Sequence, residues 1–452
     1  MEKTIAACAT PMQQSGIGII RLCGDNAIAI GERVFRSANE NRRLSGLRGY
    51  TAAYGTVFDE NGDFDDCVVL VFKAPHSYTG EQTVEFSCHG GKAVMLRLLR
   101  ALYAAGAVPA EPGEFTKLAF LNGKLSLTQA EAVMDVISAS GALALKNAND
   151  VKNGGLYKKI TEIKEKLVHA NAGLCVYIDF PEEGEVDEDI SEPKALLLKA
   201  RSELQSLIDN YRSYAAVRDG IDCVIAGKPN VGKSTLMNLL SDFERSIVTD
   251  IAGTTRDVVE QTIEMDGLTL RLSDTAGLRE TADGVEKLGV QIARKRIENA
   301  SLVLAVFDCT FPPDDEDKEL IRSIGQTPYI VVANKTDLRS GYEKDYSSLG
   351  DTVFISAKNG EGRQELCSMI MQKCGVHSSG DTLSLANERQ KAAAAAAKDF
   401  INDAIEAINA GVTLDAVTVL VDSAIEKLCE LSGENVSESV VGEIFSSFCV
   451  GK

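Results

Sequence analysis

The 452-residue chain is poor in the residues that build inorganic sites. It has four histidines, and its eleven cysteines are scattered with no C-x-x-C spacing. Neither a zinc centre nor a disulfide framework is expected, and most of the cysteines read as small buried hydrophobes. Long apolar runs are missing too. The longest, such as "LVLAVF" at 302–307, have strand length, far short of the ~20 residues that cross a bilayer. The opening "MEKTIAACATP" has no basic n-region, so no signal peptide is expected and the expected location is the cytoplasm. Positive charge is in deficit: 47 Lys and Arg face 66 Asp and Glu, a formal net charge of -19. That balance argues against a large phosphate-tracking surface. It leaves open a local basic patch, or nucleic acid reached through a partner.

What is present is ordinary soluble-protein material, 44% hydrophobic and 25% charged, too long for one core and enough for about three domains. Residues 1–120 mix short alternating or apolar runs ("GIGIIRLCG", "CVVLVFKAP", "TVEFSCHGG") with one clear helical stretch, 92–105, as an α/β domain does. Over 121–219 apolar residues recur at three- and four-residue spacing, the signature of helices. An acidic stretch, "DFPEEGEVDEDISEP", interrupts them as a solvated loop before a long helix over 194–216. Residues 220–375 alternate strand-like and helical runs, the pattern of a doubly wound, mostly parallel sheet. Helices return over 376–452, including six consecutive alanines that favour helix over disorder. The simplest arrangement is multidomain α/β plus all-α: an α/β unit at 220–375 inserted between the halves 121–219 and 376–452 of a helical domain. No internal repeat stands out.

The string "GKPNVGKST" at 227–235 follows the strand-like "IDCVIAG" and opens the helical "STLMNLLS". This is the setting that a phosphate-binding loop requires. In it the backbone of Asn230, Val231 and Gly232 closes around phosphate, and Lys233 neutralises the β/γ oxygens. Ser234 offers Mg²⁺ a hydroxyl at the start of the helix, beside Thr235. Three further motifs follow in order. "DTAG" (Asp274, Thr275, Ala276, Gly277) ends a strand, placing Asp274 near Mg²⁺ and the Gly277 amide near the γ-phosphate. "NKTD" (Asn334, Lys335, Thr336, Asp337) ends another, and Asp337 can accept N1–H and the 2-amino group of guanine. Adenine lacks both donors and would leave that carboxylate unpaired, at about 1–3 kcal/mol. "SAK" (Ser356, Ala357, Lys358) would buttress the base. Alone, N-K-x-D is a weak signal; four ordered motifs at strand ends specify a Ras-like P-loop GTPase domain.

One departure carries mechanism. Where Ras-like proteins place a glutamine that orients the attacking water, this chain has Leu278, and no arginine finger is marked. Glu280, Asp283 and Glu286 are candidates for positioning water, and a monovalent cation for the missing positive charge. Asn230 either faces such a cation with its amide oxygen or stabilises the loop.

The terminal "FCVGK" raises a second question. Cys449 could be lipidated, disulfide-bonded, metal-bound, buried or reactive. Prenylation fits poorly, because Gly451 and Lys452 stand where an aliphatic and a small or apolar residue belong.

Taken with "SYTGEQTVEFSCHGG", "PGEFTKLAFLNGKLSLTQAEA", "IDFPEEGEVD", "IVTDIAGTTRDVVE", "DTAGLRE" and "IFSSFCVGK", the chain resembles, over nearly its whole length, the MnmE (TrmE) family of tRNA modification GTPases. The resemblance implies an N-terminal domain (1–120) that binds a tetrahydrofolate derivative, 5-formyl- or 5,10-methylene-tetrahydrofolate, and forms a homodimer. It implies joint action with the flavoprotein MnmG, which brings FAD and uses NADH, to add an aminomethyl or carboxymethylaminomethyl group to carbon 5 of the wobble uridine of certain tRNAs. It also implies potassium-activated hydrolysis of GTP. By position, Asn230, Thr249, Ile251 and Thr254 match K⁺ ligands in a switch that also holds Asp250, Ala252 and Gly253. Thr255 matches the Mg²⁺-binding threonine, and Glu286 the glutamate that orients water, so Asp283 falls back to a solvated switch residue. Arg21, Glu85, Lys124 and Lys452 match folate-contacting positions. From the residues alone, Arg21 and Glu85 read as a cross-strand ion pair and Lys124 as a surface residue. Cys449 matches a cysteine needed for modification but not for GTP hydrolysis; a neighbouring ammonium would favour its thiolate.

Two other classes compete. An assembly-type RNA-binding GTPase switch would carry an RNA module such as a KH domain, and the GXXG strings here lie in no βααβ setting. A GTP-gated scaffold with a vestigial folate domain would not need Arg21, Glu85 and Lys124.

Overall fold

The computed structural model describes residues 3–179, 190–241, 260–274, 295–338, 346–376 and 383–452. Two compact units emerge. The first comprises Met1–Met134, Lys152–Cys175 and Thr413–Lys452, the second Asp135–Val151 and Val176–Val412. Helical residues belong to both.

The first unit is built on a seven-stranded sheet: β1 (Ile5–Cys8), β2 (Ser15–Cys23), β3 (Phe35–Ser37), β4 (Thr51–Asp59), β5 (Gly62–Phe72), β6 (Thr83–Gly90) and β7 (Val108–Pro109). The order is β3-β4-β5-β6-β2-β1-β7, antiparallel throughout except for the β1/β7 pair. Alternation decides which face is covered. In β5, Cys67, Val69 and Val71 are buried while Val68 faces out, as a period of two demands. The helices Ala27–Val34 and Lys92–Ala104 close that face. The second presents Met95, Leu98, Leu99 and Leu102 at helical spacing, and each fully buried side chain contributes about 1.5–3 kcal/mol. Two eight-residue helices, Ala27–Val34 and Glu114–Leu121, join the one expected over 92–105. They are too short to show a clear helical period.

Chain-terminal residues complete this unit. The helix Glu438–Ser446, with Ser437 at its N-cap, brings Phe445 to 6.3 Å from Phe120 and 5.1 Å from Phe448 between ring centroids. Leu127 and Val441 fill in around them.

The second unit holds a six-stranded sheet: β8 (Ile221–Ala226), β9 (Glu260–Met265), β10 (Leu268–Asp274), β11 (Leu302–Asp308), β12 (Tyr329–Asn334) and β13 (Thr352–Ile355). Its order is β13-β12-β11-β8-β10-β9, parallel apart from the β9/β10 hairpin. Strand β11 shows why the sequence reads as an unbroken apolar run. Leu302, Leu304 and Val306 enter one core, and Val303, Ala305 and Phe307 enter the core on the opposite face. Beside the sheet, the long helix Ser191–Asp219 packs along Glu388–Asn409, which contains the alanine run. Ala394 and Ala397 are buried on it, as are Leu197, Ala200 and Leu204 on the other helix. No described helix is long and apolar enough to cross a membrane.

Candidate functional site

The nucleotide site grows out of the carboxyl ends of the parallel strands, where doubly wound sheets hold ligands. Strand β8 ends at Ala226 and the chain turns at Gly227. A Cβ there would lie 2.3 Å from the Val306 carbonyl oxygen, so only glycine fits. Asn230 adopts φ 64, a left-handed conformation that asparagine tolerates better than most residues, and its side chain is exposed. Gly232, at φ +100, leaves room for the Asn334 amide, which a Cβ would meet at 2.2 Å. The helix Lys233–Ser241 then starts. Val231 and Lys233 are buried at its mouth while Ser234 and Thr235 face solvent. The Lys233 ammonium donates to the carbonyls of Gly227 (3.0 Å) and Lys228 (2.8 Å), so the loop is already curled around a positive charge. A phosphate oxygen can compete for that ammonium.

At the other end, Asn334 acts as a hinge pin between three loops. Its amide donates to the Val231 carbonyl at 2.8 Å and its oxygen accepts the Ala357 N–H at 2.9 Å. The phosphate loop and the "SAK" loop are thereby fixed to the end of β12. Asp337 accepts from the Ser356 hydroxyl at 2.9 Å through Oδ1, which orients the carboxylate expected to read guanine. Lys335, at φ 73, pairs with Asp308 at 2.6 Å. Burial pushes the Asp308 carboxyl up, but Lys335 and Thr310 outweigh it and hold it below the usual range. Thr336 lies in the 3-10 turn Thr336–Leu338, and Lys358 is exposed. Asp274 closes β10, its backbone in register with Ile225 of β8. The remaining switch positions (Thr249, Asp250, Ile251, Ala252, Gly253, Thr254, Thr255, Thr275, Ala276, Gly277 and Glu286) lie outside the described residues.

One element of this site escaped the sequence reading. Lys228, inside the phosphate loop, reaches across to Asp314 and to Asp317, 2.9 Å away. These two form the capping box of the helix Asp315–Ile324: the Asp317 N–H donates to Asp314 Oδ1, and the Asp314 N–H to Asp317 Oδ2. The Tyr346 hydroxyl donates to the carbonyls of Asp308 and Phe311. The segment 308–317 therefore braces the phosphate loop at one end and, through Asp308 and Lys335, the base-reading loop at the other. The D-x-x-D spacing was the available signal.

The first unit carries the second cluster. Arg21 and Glu85 stand directly opposite on β2 and β6 and pair at 2.8 Å. This is the cross-strand ion pair that the residues alone suggest. Arg21 does more: its guanidinium lies 5.5 Å from the Phe115 ring centroid and 5.9 Å from that of Tyr78, and it donates to the Gly451 carbonyl at 3.3 Å. The terminal residues are held in place by backbone contacts. Pro112 bridges Val450, and the N–H groups of Gly113 and Phe115 donate to the carbonyls of Cys449 (3.4 Å) and Lys452 (3.2 Å). Gly451, at φ +95, passes so close to Cys8 that a Cβ would lie 2.0 Å from its carbonyl oxygen. With Phe448 and Gly451 buried, Cys449 between them is exposed. A buried apolar cysteine is thus excluded at 449. Elsewhere in this unit burial pushes thiols up, Cys23 to about 11. Lys124 is exposed, and its ammonium donates to the Pro75 carbonyl at 2.9 Å.

Two family models match the chain: "GTP-binding protein TrmE N-terminus" over residues 4–124 and "MnmE helical domain" over 127–449. Among curated proteins, the tRNA modification GTPase MnmE of Lachnoclostridium phytofermentans is 39% identical over 99% of this chain and 99% of its own length. That of Akkermansia muciniphila is 41% identical over 100% and 99%, and that of Geobacillus kaustophilus 39% over 99% of each. With both halves of the chain matched and a phosphate loop, N-K-x-D and S-A-K assembled at one sheet edge, the chain belongs to the MnmE family of tRNA modification GTPases.

Proposed function

We propose that this chain is a potassium-activated GTP hydrolase of the cytoplasm that, as a homodimer and with the flavoprotein MnmG, modifies carbon 5 of the wobble uridine of certain tRNAs. The one-carbon unit would come from a tetrahydrofolate derivative held by Arg21, Glu85, Lys124 and Lys452, with FAD and NADH acting through the partner. Four parts serve it: the folate and dimerisation domain at 1–120, the helical halves at 121–219 and 376–452, and the GTPase domain at 220–375. The observation that carries the reading is the exposed Cys449 thiol, on a terminal segment anchored to Arg21, in a chain that also has a complete phosphate loop and base-reading loop.

In this reading Lys233 leaves its loop carbonyls for the β/γ-phosphate oxygens, and the Asp337 carboxylate, oriented by Ser356, accepts the two guanine donors. The donors around the phosphates are hydroxyls and an amide, hard oxygen ligands suited to Mg²⁺ and K⁺. Ser234, exposed on the first turn of its helix, and Thr255 would hold Mg²⁺. Asn230, whose left-handed backbone leaves its amide exposed, would hold K⁺ with Thr249, Ile251 and Thr254. The cation supplies positive charge where no arginine does, and Glu286 takes over the orientation of water that Leu278 cannot perform.

Mass analysis of wobble nucleosides from cells lacking the chain tests the assignment. Loss of the 5-substituted uridine, restored by the chain, is expected. An unchanged nucleoside profile would favour a GTPase switch without base chemistry.

A further inference from the structure

A chain with net charge -19 that acts on RNA has to meet phosphate somewhere. One place concentrates cations without pairing them. In the segment "RRLSGLRGY" at 42–50, Leu44 and Leu47 are buried in the core of the first unit, and a 3-10 turn, Leu44–Gly46, lies between them. Arg42, Arg43 and Arg48 all face out. The two buried leucines anchor the backbone on which the three guanidiniums are presented.

The neighbouring loop adds to them. The Lys73 ammonium donates to the Ser45 carbonyl at 3.1 Å, and the His76 N–H donates to the Lys73 carbonyl at 2.8 Å. Among the described residues none of Arg42, Arg43, Arg48, Lys73 or His76 is in an ion pair. Glu32 is occupied by the Ser45 N–H and hydroxyl, and Glu40 stands at the edge of the segment. Tyr50 completes the surface. It is 66% exposed, stands edge-on against Phe72 at 5.5 Å, and holds φ 60, a left-handed conformation that costs a bulky residue free energy. Exposed guanidiniums and an exposed aromatic ring on one nine-residue segment form the combination that grips phosphates and stacks an unpaired base.

The patch and the thiol belong to the same compact unit. From Lys73 the chain continues through Pro75, which accepts from Lys124, and His76 to Tyr78. Tyr78 bonds Thr116 at 3.0 Å and lies beneath Arg21, which in turn holds Gly451.

We propose that Arg42, Arg43, Arg48, Lys73 and Tyr50 form a single-stranded RNA-binding surface that delivers the anticodon loop to the Cys449 segment. This rests on the reading above that the chain acts on tRNA. The arginines neutralise phosphates, and Tyr50 stacks on a splayed base.

Fluorescence anisotropy of an unmodified tRNA transcript with a wobble uridine, titrated with full-length protein across a salt series, tests it. Arg42→Ala/Arg43→Ala/Arg48→Ala should flatten the slope of log K against log[salt] by about 2–3, leaving GTP turnover and melting temperature unchanged. Tyr50→Ser should weaken binding about tenfold without altering that slope, because stacking releases no counterion. Wild-type affinity and slope in the triple variant, or no binding by wild type at low salt, would overturn the proposal. So would equal capture by phosphatidylserine vesicles, or a change of oligomeric state in light scattering, which would reassign the surface to lipid or to a second copy. Nucleoside analysis separates this failure from that of the functional reading. Full restoration of modification by the triple variant sinks only the patch, whereas intact wobble nucleosides in cells lacking the chain sink the function itself.

Discussion

Asp317 is mostly buried and has Lys228 as its cation. Replacing Lys228 with methionine keeps the bulk of the stem and leaves that carboxylate without its cation, at about 1–3 kcal/mol. The loss falls on the phosphate loop itself, so we expect GTP and GDP to bind about tenfold more weakly by fluorescent-nucleotide titration, with turnover at saturating GTP nearly unchanged. Undiminished affinity would show that the brace serves folding alone. Arginine at 228 should restore most of the binding, since it can fork onto both aspartates. At this scale the sequence was informative where chemistry dictates residue type. Lys233 and Asp337 follow from what phosphate and guanine require. It was uninformative where a role depends on a distant partner. Nothing in the local string around Lys228 announces Asp317, and Arg21 is both the ion pair its strand context suggests and the anchor of a segment 430 residues away.

Among elements, the terminal segment is the most exacting. Gly451 sits in a left-handed conformation against the Cys8 carbonyl, so Gly451→Ala has no place for its methyl group. The segment from Cys449 onward should detach while Phe445 and Phe448 stay packed. We therefore expect loss of tRNA modification with GTP turnover intact and the melting temperature shifted by no more than a few degrees, measured on the same preparation. Retained modification would show that the thiol acts without its docked backbone. The parallel strands were legible because two-sided burial makes an unbroken apolar run, as in β11, and the alanine run was legible because helix propensity and amphipathic flanks agree. The helices Ala27–Val34 and Glu114–Leu121 were not, since two turns cannot establish a period. Nor does local pattern reveal that helical residues divide between two compact units; that depends on contacts distant in sequence.

For the whole molecule, the question is how a strongly acidic chain handles two polyanions, GTP and RNA. The nucleotide end answers with buried Lys233 and, in our reading, a bound cation. Replacing K⁺ with Na⁺ at constant ionic strength should slow GTP hydrolysis strongly while leaving GTP affinity nearly intact, because Na⁺ suits a cage sized for K⁺ poorly. Equal turnover in the two salts would remove the cation from the mechanism. The RNA end answers with a compact basic patch rather than a broad field.

The claim that one chain joins a GTPase to base chemistry is tested most directly at Cys449. Wobble nucleosides are measured by mass spectrometry in cells carrying Cys449→Ser as the sole copy, alongside GTP turnover and thermal stability of the purified variant. Serine keeps the shape and removes the thiolate, and an exposed site pays no burial cost for the hydroxyl. We predict absent wobble modification with wild-type turnover and stability. Full modification by the serine variant would contradict the account.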